Sequence, residues 1–472
     1  MKKNKNRSAG NSRRYWILFT LSSIFLLSCE KFVDIKTSNS IRLIESVDDC
    51  QLILNHYNNM NVGYPSDGES SADDYYLDEQ NGYLSENLTE TDRDIYIWSR
   101  NAIREMALPQ WQKPYYVIYL SNLVLESVDK LGGTVNSEIN DDIKGQALFF
   151  RAYAYWNLAQ LYAPTYNPAT SSQDLGIPLR LKSDINGEST RGTVEQIYSQ
   201  IIKDLSDAST LLANTSAIAS RPNKVAAFGM LAKVYLSMDR YADALNNASL
   251  ALAGRSTLID YNTIDSLSET PFNRFNDEVI FQATMTINPT LLANSGSDNM
   301  ARIDSLLVRS YDSNDLRGKI FFKANTDSNV GSFRFSGNYE PSTSSLFCGI
   351  AVDELFLIRA ECYARTNNTN SAMSDLNTLL RFRWTDGKFV SFTAANSTEA
   401  LRLILIERRK ELVMRGLRWT DLRRLNKDPQ FAKTLYRNIL GTSYSLPPND
   451  LRYTLLIPQE VINNSSIQQN PR

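Results

Sequence analysis

One pattern occurs twice in this chain, at an offset of 128 residues, and it commits the middle of the sequence to paired helices. Residues 231–252, LAKVYLSMDRYADALNNASLAL, place Ala232, Tyr235, Ala244 and Ala248 where residues 358–380, IRAECYARTNNTNSAMSDLNTLL, place Ala360, Tyr363, Ala372 and Leu376. Small residues at matched positions let two helices approach closely, the aromatic ring fills the space between them, and a polar turn joins the pair. A further first helix is predicted in residues 145–163 and a second in 192–212, with a Pro- and Ser-containing insertion between them. Insertions of that length between packed helices become surface loops. The fold class that follows is mostly α.

The matched spacing is that of tetratricopeptide-like helical pairs, predicted within residues 141–254 and 350–425. Two stretches break the pattern. Residues 61–101 mix Asp, Asn, Ser and Gly with Tyr64, Tyr75, Tyr76, Tyr83, Tyr96 and Trp98, and residues 284–346 form a second irregular lobe with Arg334, Phe335 and Tyr339. A short strand is predicted at its entrance, in FNDEVIFQATMT. Polar loops that carry aromatics suit ligand contact, because rings supply apolar area and π-faces while neighbouring amides and carboxylates supply directed hydrogen bonds. Sugars and peptides need that chemistry. The ligand-contact candidates are Tyr75, Tyr76, Trp98, Arg334 and Tyr339; the alternative for any one of them is a ring that only fastens its loop to the core.

The amino terminus speaks to location. Lys2, Lys3, Lys5, Arg7, Arg13 and Arg14 precede an apolar run at residues 15–27, too short to span a bilayer, and Leu26-Leu27-Ser28-Cys29 closes it. Residues 1–28 are predicted to be a signal peptide, Cys29 the lipidated first residue of the mature chain, and 29–472 a single domain. Several acyl chains, at about 0.8 kcal/mol per buried CH2, would hold such a chain on a membrane. Without residues 1–28 the chain has 44 Lys plus Arg against 52 Asp plus Glu, a net charge of −8 with no basic stripe, so nucleic acid is not expected as a partner.

Scarce histidine and cysteine narrow the chemistry. The single histidine, His56, is predicted to be a partly buried packing residue, and its isolation excludes a Ser-His-Asp triad elsewhere, a zinc site with several imidazoles and an H-E-x-x-H protease. Neither a metal nor a cofactor is expected. Cys50, Cys348 and Cys362 allow one disulfide, though buried free thiols suit a chain of this size better. Carboxylate chemistry remains open, and a glycosidase could use Asp73 with Asp74 or Asp92 with Asp94. Adjacency in sequence does not by itself set two carboxylates the required separation of roughly 5–10 Å apart across a substrate.

Near the carboxyl terminus stands Glu407-Arg-Arg-Lys-Glu-Leu-Val-Met-Arg-Gly-Leu-Arg-Trp-Thr-Asp-Leu-Arg-Arg-Leu425. Its helical spacing pairs Glu407 with Lys410 and Glu411 with Arg415, a solvated or salt-bridged helix, and Gly416 permits a break before a second apolar face. The string resembles the hallmark of the SusD/RagB family of outer-membrane lipoproteins. Residues 111–125, the segment ending in Gly176-Ile-Pro-Leu179, the helix from Arg221, Tyr311–Arg317 and the ending LLIPQEVINNSSIQQNPR are similar to further family elements in the family's order, although Pro471-Arg472 stands where the family usually reads Gly-Tyr. The resemblance implies a scaffold of four tetratricopeptide-like pairs overlaid by an irregular ligand lobe. It implies no enzymatic activity, but capture of oligosaccharides, or in some members peptides, for a SusC-like TonB-dependent transporter. Ligand positions vary within the family, so none carries over. A scaffold that binds only its protein partner is the alternative.

Overall fold

The computed structural model describes residues 44–131, 137–292, 300–326 and 329–472; the predicted signal peptide and Cys29 lie outside them. Ten helices of eight or more residues occur among the described residues: α1 Val47–Leu54, α2 Gln112–Leu131, α3 Ser137–Tyr162, α4 Val194–Leu211, α5 Lys224–Ser237, α6 Tyr241–Gly254, α7 Val352–Arg365, α8 Thr369–Arg381, α9 Ser397–Glu411 and α10 Arg418–Leu425. Several start on side chains that satisfy otherwise orphaned backbone N–H groups. Ser46 with Asp49 forms a capping box on α1, and Thr193 with Gln196 forms another on α4. Asn223, Asn368 and Asn396 cap α5, α8 and α9. No helix among the described residues is long and apolar enough to cross a membrane.

From α2 to α9 each helix packs beside the next, giving an unbroken row of eight that contains the pairs α3–α4, α5–α6 and α7–α8. The duplicated pattern holds down to the backbone. In α5–α6 the Arg240 N–H donates to Tyr235 O at 3.0 Å over a left-handed Asp239 (φ 60°), and in α7–α8 the Asn368 N–H donates to Tyr363 O at 2.8 Å over a left-handed Asn367 (φ 61°). Asp and Asn tolerate that conformation better than other residues with a Cβ. Ala232, Ala244, Ala248, Ala360, Ala372 and Leu376 are all fully buried between the helices. Across the insertion, the buried Arg151 of α3 grips Asp204 of α4 through two bonds of 2.7 and 2.8 Å.

The strands are short. β1 Val62–Tyr64, β2 Tyr75–Tyr76, β3 Leu175–Pro178, β4 Arg191–Thr193, β5 Val279–Phe281, β6 Thr284–Thr286, β7 Arg302–Ile303, β8 Phe322–Ala324, β9 Phe333–Phe335, β10 Ser345–Phe347, β11 Ile350–Ala351, β12 Leu435–Ile439 and β13 Thr442–Leu446 follow in chain order. β6 lies between β1 and β10, and the others form pairs: β2 with β7, β3 with β4, β5 with β11, β8 with β9 and β12 with β13. The single strand predicted in FNDEVIFQATMT is thus two, β5 and β6, which leave for different partners.

Of the two states expected for the charged string at 407–425, the salt-bridged one is present. Its charges are not solvated. Arg317, with no exposed surface, bonds Asp315 at 2.7 and 2.9 Å, Glu411 at 2.9 Å and Glu407 at 2.5 Å. Arg383, equally buried, joins Glu411 at 2.7 Å to Glu278 at 2.8 Å. Glu407 does reach Lys410, at 3.0 Å, but Glu411 does not pair with Arg415. The helix ends at Glu411, and left-handed Met414 (φ 58°) and Gly416 (φ 73°) turn the chain, so Arg415 reaches Asp353 of α7 at 2.9 Å instead. α10 then packs on the short helix Asp67–Ser71.

Glu278, Asp353 and Glu411 bring carboxylate oxygens within 4.8 Å of one another, a spacing a cation could use. Here guanidinium groups of Arg383, Arg317 and Arg415 already occupy those oxygens. The trio is the centre of an ion-pair clasp joining α7 and α9 to the lobe. Cys50, Cys348 and Cys362 are buried free thiols. His56 departs from its expected buried role: it is exposed in the turn between α1 and the short helix Tyr57–Met60.

Candidate functional site

A cleft of about 440 Å³ opens where β2, the Tyr96–Trp98 segment, Asp304 and the β12 strand meet. Its floor is aromatic and locked. Arg437 sits 3.5 Å from the Tyr96 ring, 4.5 Å from Trp98 and 5.7 Å from Tyr75, and donates to the carbonyls of Ala72 at 2.6 Å and of Tyr96. A guanidinium on the face of a ring gains from the ring quadrupole, more so when desolvated. The polar ends of the floor residues are also taken. Tyr75 Oη donates to Ser70 O at 2.7 Å, Trp98 Nε1 donates to Ser71 O at 2.9 Å, and Tyr96 Oη accepts from the Leu77 N–H at 2.8 Å.

What faces solvent is different. Tyr76 and Tyr436 are 37% and 68% exposed, and Lys433 and Asn438 are exposed beside Tyr436. Strand alternation produces this division in β12, where Leu435, Arg437 and Ile439 are buried and Tyr436 and Asn438 are exposed. The turn after it, Leu440-Gly441, has both residues left-handed (φ 50° and 74°), as a two-residue hairpin turn requires.

Acids at the cleft are held by cations rather than poised for proton transfer. Asp73 is bonded by Arg418 at 2.6 Å and Lys433 at 2.7 Å, and Asp74 and Asp304 by Arg409 at 2.8 and 3.2 Å. Burial acts to raise the Asp73 carboxyl, but Arg418 and Arg409 outweigh it and keep it well below the usual range. Burial instead wins at Asp74, which is raised. Asp92 is tied to Arg104 at 2.7 Å. The arrangement accepts hydrogen bonds and offers ring faces, which is recognition chemistry.

Of the five residues predicted to touch ligand, the structure brings Tyr75, Tyr76 and Trp98 together in this cleft, with only Tyr76 half-exposed. Arg334 and Tyr339 lie elsewhere. Arg334 lines a smaller cleft of about 170 Å³ and is held by Glu269 at 2.7 Å. Tyr339 has no exposed surface, lies 3.8 Å beneath the Arg415 guanidinium and bonds Glu278 at 2.9 Å, so it is a core residue of the clasp. Tyr436, Lys433 and Asn438 escaped the sequence reading. The signal that would have found them is the alternation of LYRNI before a Gly turn.

Two family descriptions match the chain in order: "Starch-binding associating with outer membrane" over residues 30–236, and "SusD family" over residues 353–472. The chain belongs to the SusD/RagB family. Residues 237–352, which contain the whole of the second lobe, fall between those two matches. SusD-like protein P2 of Formosa agariphila is 23% identical over 422 residues, covering 76% of this chain and 79% of that protein. SusD-like protein P25 of the same organism is 26% identical over 175 residues, 36% of this chain and 31% of that protein's length. Among solved structures, a SusD superfamily protein from Bacteroides thetaiotaomicron superposes with a TM-score of 0.72 at 23% identity, covering 90% of this chain and 100% of that one. Surface glycan-binding protein A from Bacteroides uniformis does so with a TM-score of 0.69 at 16% identity, covering 91% and 99%. The SusD-like fold is therefore present, and SusD-family glycan-binding proteins are non-enzymatic.

Proposed function

We propose that this protein is a cell-surface nutrient-binding lipoprotein that captures oligosaccharides in the Tyr76/Tyr436 cleft and delivers them to a SusC-like TonB-dependent transporter. The observation that carries the reading is the pair of solvent-facing tyrosines mounted over an Arg437-braced aromatic floor. Sugar rings present C–H faces that stack on such surfaces, while Lys433, Asn438 and the carboxylates around them match hydroxyl groups. The family's description as starch-binding and associating with the outer membrane, and the glycan-binding name of the Bacteroides uniformis structure, support the same class. Lipidation of Cys29 would anchor the chain, and its eight-helix row would give the rigid face for the transporter.

The test is calorimetry on the mature chain with Cys29→Ser, titrated with plant, host and microbial oligosaccharides and with mixed peptides. Saturable binding of a saccharide without product formation, weakened in Tyr436→Ala, is the expected result. Binding of peptides alone would move the ligand class. Absence of binding together with stable co-purification of a barrel partner would favour the scaffold reading.

A further inference from the structure

A second cleft, sharing no residue with the first, lies along the outer face of α2. It encloses about 340 Å³, within the range of roughly 300–1,000 Å³ typical of small-molecule sites. Its base is a pair of rings one helical turn apart. Tyr116 and Tyr119 are stacked, with centroids 6.2 Å apart and planes 18° apart, and both line the cleft. Tyr116 is 41% exposed, and neither hydroxyl has a protein partner among the described residues.

The wall over these rings is built rather than loose. The segment 178–189 is fastened to α2 along its length: Tyr115 Oη donates to Pro178 O at 2.8 Å, Asn122 Nδ2 to Arg180 O at 2.8 Å, and the Ser183 N–H and hydroxyl to Glu126 at 2.9 and 2.6 Å. Arg180 closes the segment on itself through Gly187 O at 2.5 Å and Ser189 Oγ at 2.6 Å. Held this way, the loop presents Ile185, 76% exposed, with the exposed side chains of Lys182 and Asp184 beside it. Val461 and Ile467 of the carboxyl-terminal segment form the opposite side. A single exposed aliphatic residue means little, but one carried by a pinned loop beside a stacked tyrosine pair makes a preformed site.

We propose that this cleft is a second saccharide site, accepting a neutral oligosaccharide of about disaccharide size whose ring stacks on Tyr116 and Tyr119. The inference rests on the glycan-binding reading given above. The chemistry favours an uncharged polyol. Arg180, Lys182 and Asp184 are the charged residues of the lining, and the Arg180 guanidinium is spent on Gly187 O, Ser189 Oγ and Asp184 O. Among the described residues one free cation, Lys182, thus stands beside one anion, and no cluster of free charge selects an ion. Stacking faces next to unpartnered phenol hydroxyls suit a ligand with an apolar face and a hydroxyl edge. Two sites on one chain would let a long glycan be held at two points, raising its effective affinity through local concentration.

The experiment compares stoichiometry in three soluble proteins carrying Cys29→Ser: the parent, a Tyr76→Ala/Tyr436→Ala variant and a Tyr116→Ala/Tyr119→Ala variant. Each is titrated by calorimetry and by NMR with the oligosaccharide panel, after circular dichroism confirms an unchanged fold. The parent is expected to bind two equivalents. The first variant should lose the first site and keep the second, and the second variant should bind at the α2 cleft at least tenfold more weakly. If the Tyr116→Ala/Tyr119→Ala protein keeps the parent's stoichiometry and affinity while the other variant loses all binding, the second site is refuted and the function stands. If the parent binds no saccharide, both readings fall.

Discussion

Replacing Arg317 with methionine tests the clasp that joins the lobe to the helical row. The guanidinium is wholly buried and bonds three acids. Removing one partner of a buried ion pair costs about 3–5 kcal/mol, mainly because a charge is left uncompensated. Two of the acids keep a second partner, Glu407 with Lys410 at 3.0 Å and Glu411 with Arg383 at 2.7 Å. Asp315 keeps no cation closer than Lys410 at 3.9 Å. One stranded carboxylate out of three sets the expected loss at about 4 kcal/mol at pH 7, a large part of a stability of roughly 5–15 kcal/mol.

The loss should depend on pH, with a definite sign. Burial acts to raise the carboxyls of Glu407 and Glu411, but the neighbouring cations, Arg317 with Lys410 and Arg383 with Arg317, outweigh it and hold both below the usual range. Groups held low in the folded state contribute stability above their unfolded value of about 4.3, and lose it as pH falls through the folded value. The parent therefore weakens on acidification, whereas the variant, without Arg317 to hold Glu407 and Glu411 low, has less of that stability to lose, and the gap narrows. Urea unfolding followed by circular dichroism at pH 7 and pH 3.5 measures it. A loss under about 1 kcal/mol at pH 7, or a gap unchanged between the two pH values, would refute the clasp as a buried, charge-paired unit. Lys203→Met, which breaks the exposed Lys203–Asp207 pair, should shift stability by no more than about 0.5 kcal/mol and serves as the control.

Further outcomes separate surface from core. Tyr436→Ala should weaken oligosaccharide binding about tenfold with an unchanged melting temperature, because the ring is mostly in solvent; Tyr339→Ala, by contrast, should destabilise by about 3–5 kcal/mol in the same melts, its ring being enclosed by the clasp. Ala372→Leu should cost about 1–3 kcal/mol by forcing α7 and α8 apart, read in urea, and a neutral result would deny the close approach. Cys29→Ala should move the protein from the membrane fraction to the soluble fraction of fractionated cells, and continued membrane retention would count against lipidation.

The helical row was legible because its information is local. Ala232, Tyr235, Ala244 and Ala248, and their counterparts 128 residues on, encode close approach at helical spacing, and the structure buries the small residues as expected. Of the charged string, the Glu407–Lys410 pair was legible, but its burial and the Glu411 partners were not, because most of its partners are remote. Arg317 reaches Glu407 and Glu411 across 90 and 94 residues, and Arg383 reaches Glu278 across 105, so spacing within the string could not indicate burial. Aromatics at 75, 76 and 98 pointed to the candidate cleft, but Tyr436 came to it from a hairpin more than 300 residues further along. Composition could not separate Tyr76, at the mouth, from Tyr339, whose hydroxyl is spent on Glu278.

The five residues of β12 have a consequence for how such a binder can change. Mounting and reading are interleaved there: Leu435, Arg437 and Ile439 bolt the strand down, and Tyr436 and Asn438 look outward. A substitution at an outward position alters what is read without loosening a bolt. Under the proposed function, preference for one glycan over another would drift in single steps at 436 and 438, each on an intact foundation, and those two positions are where a library meant to retarget the protein should begin.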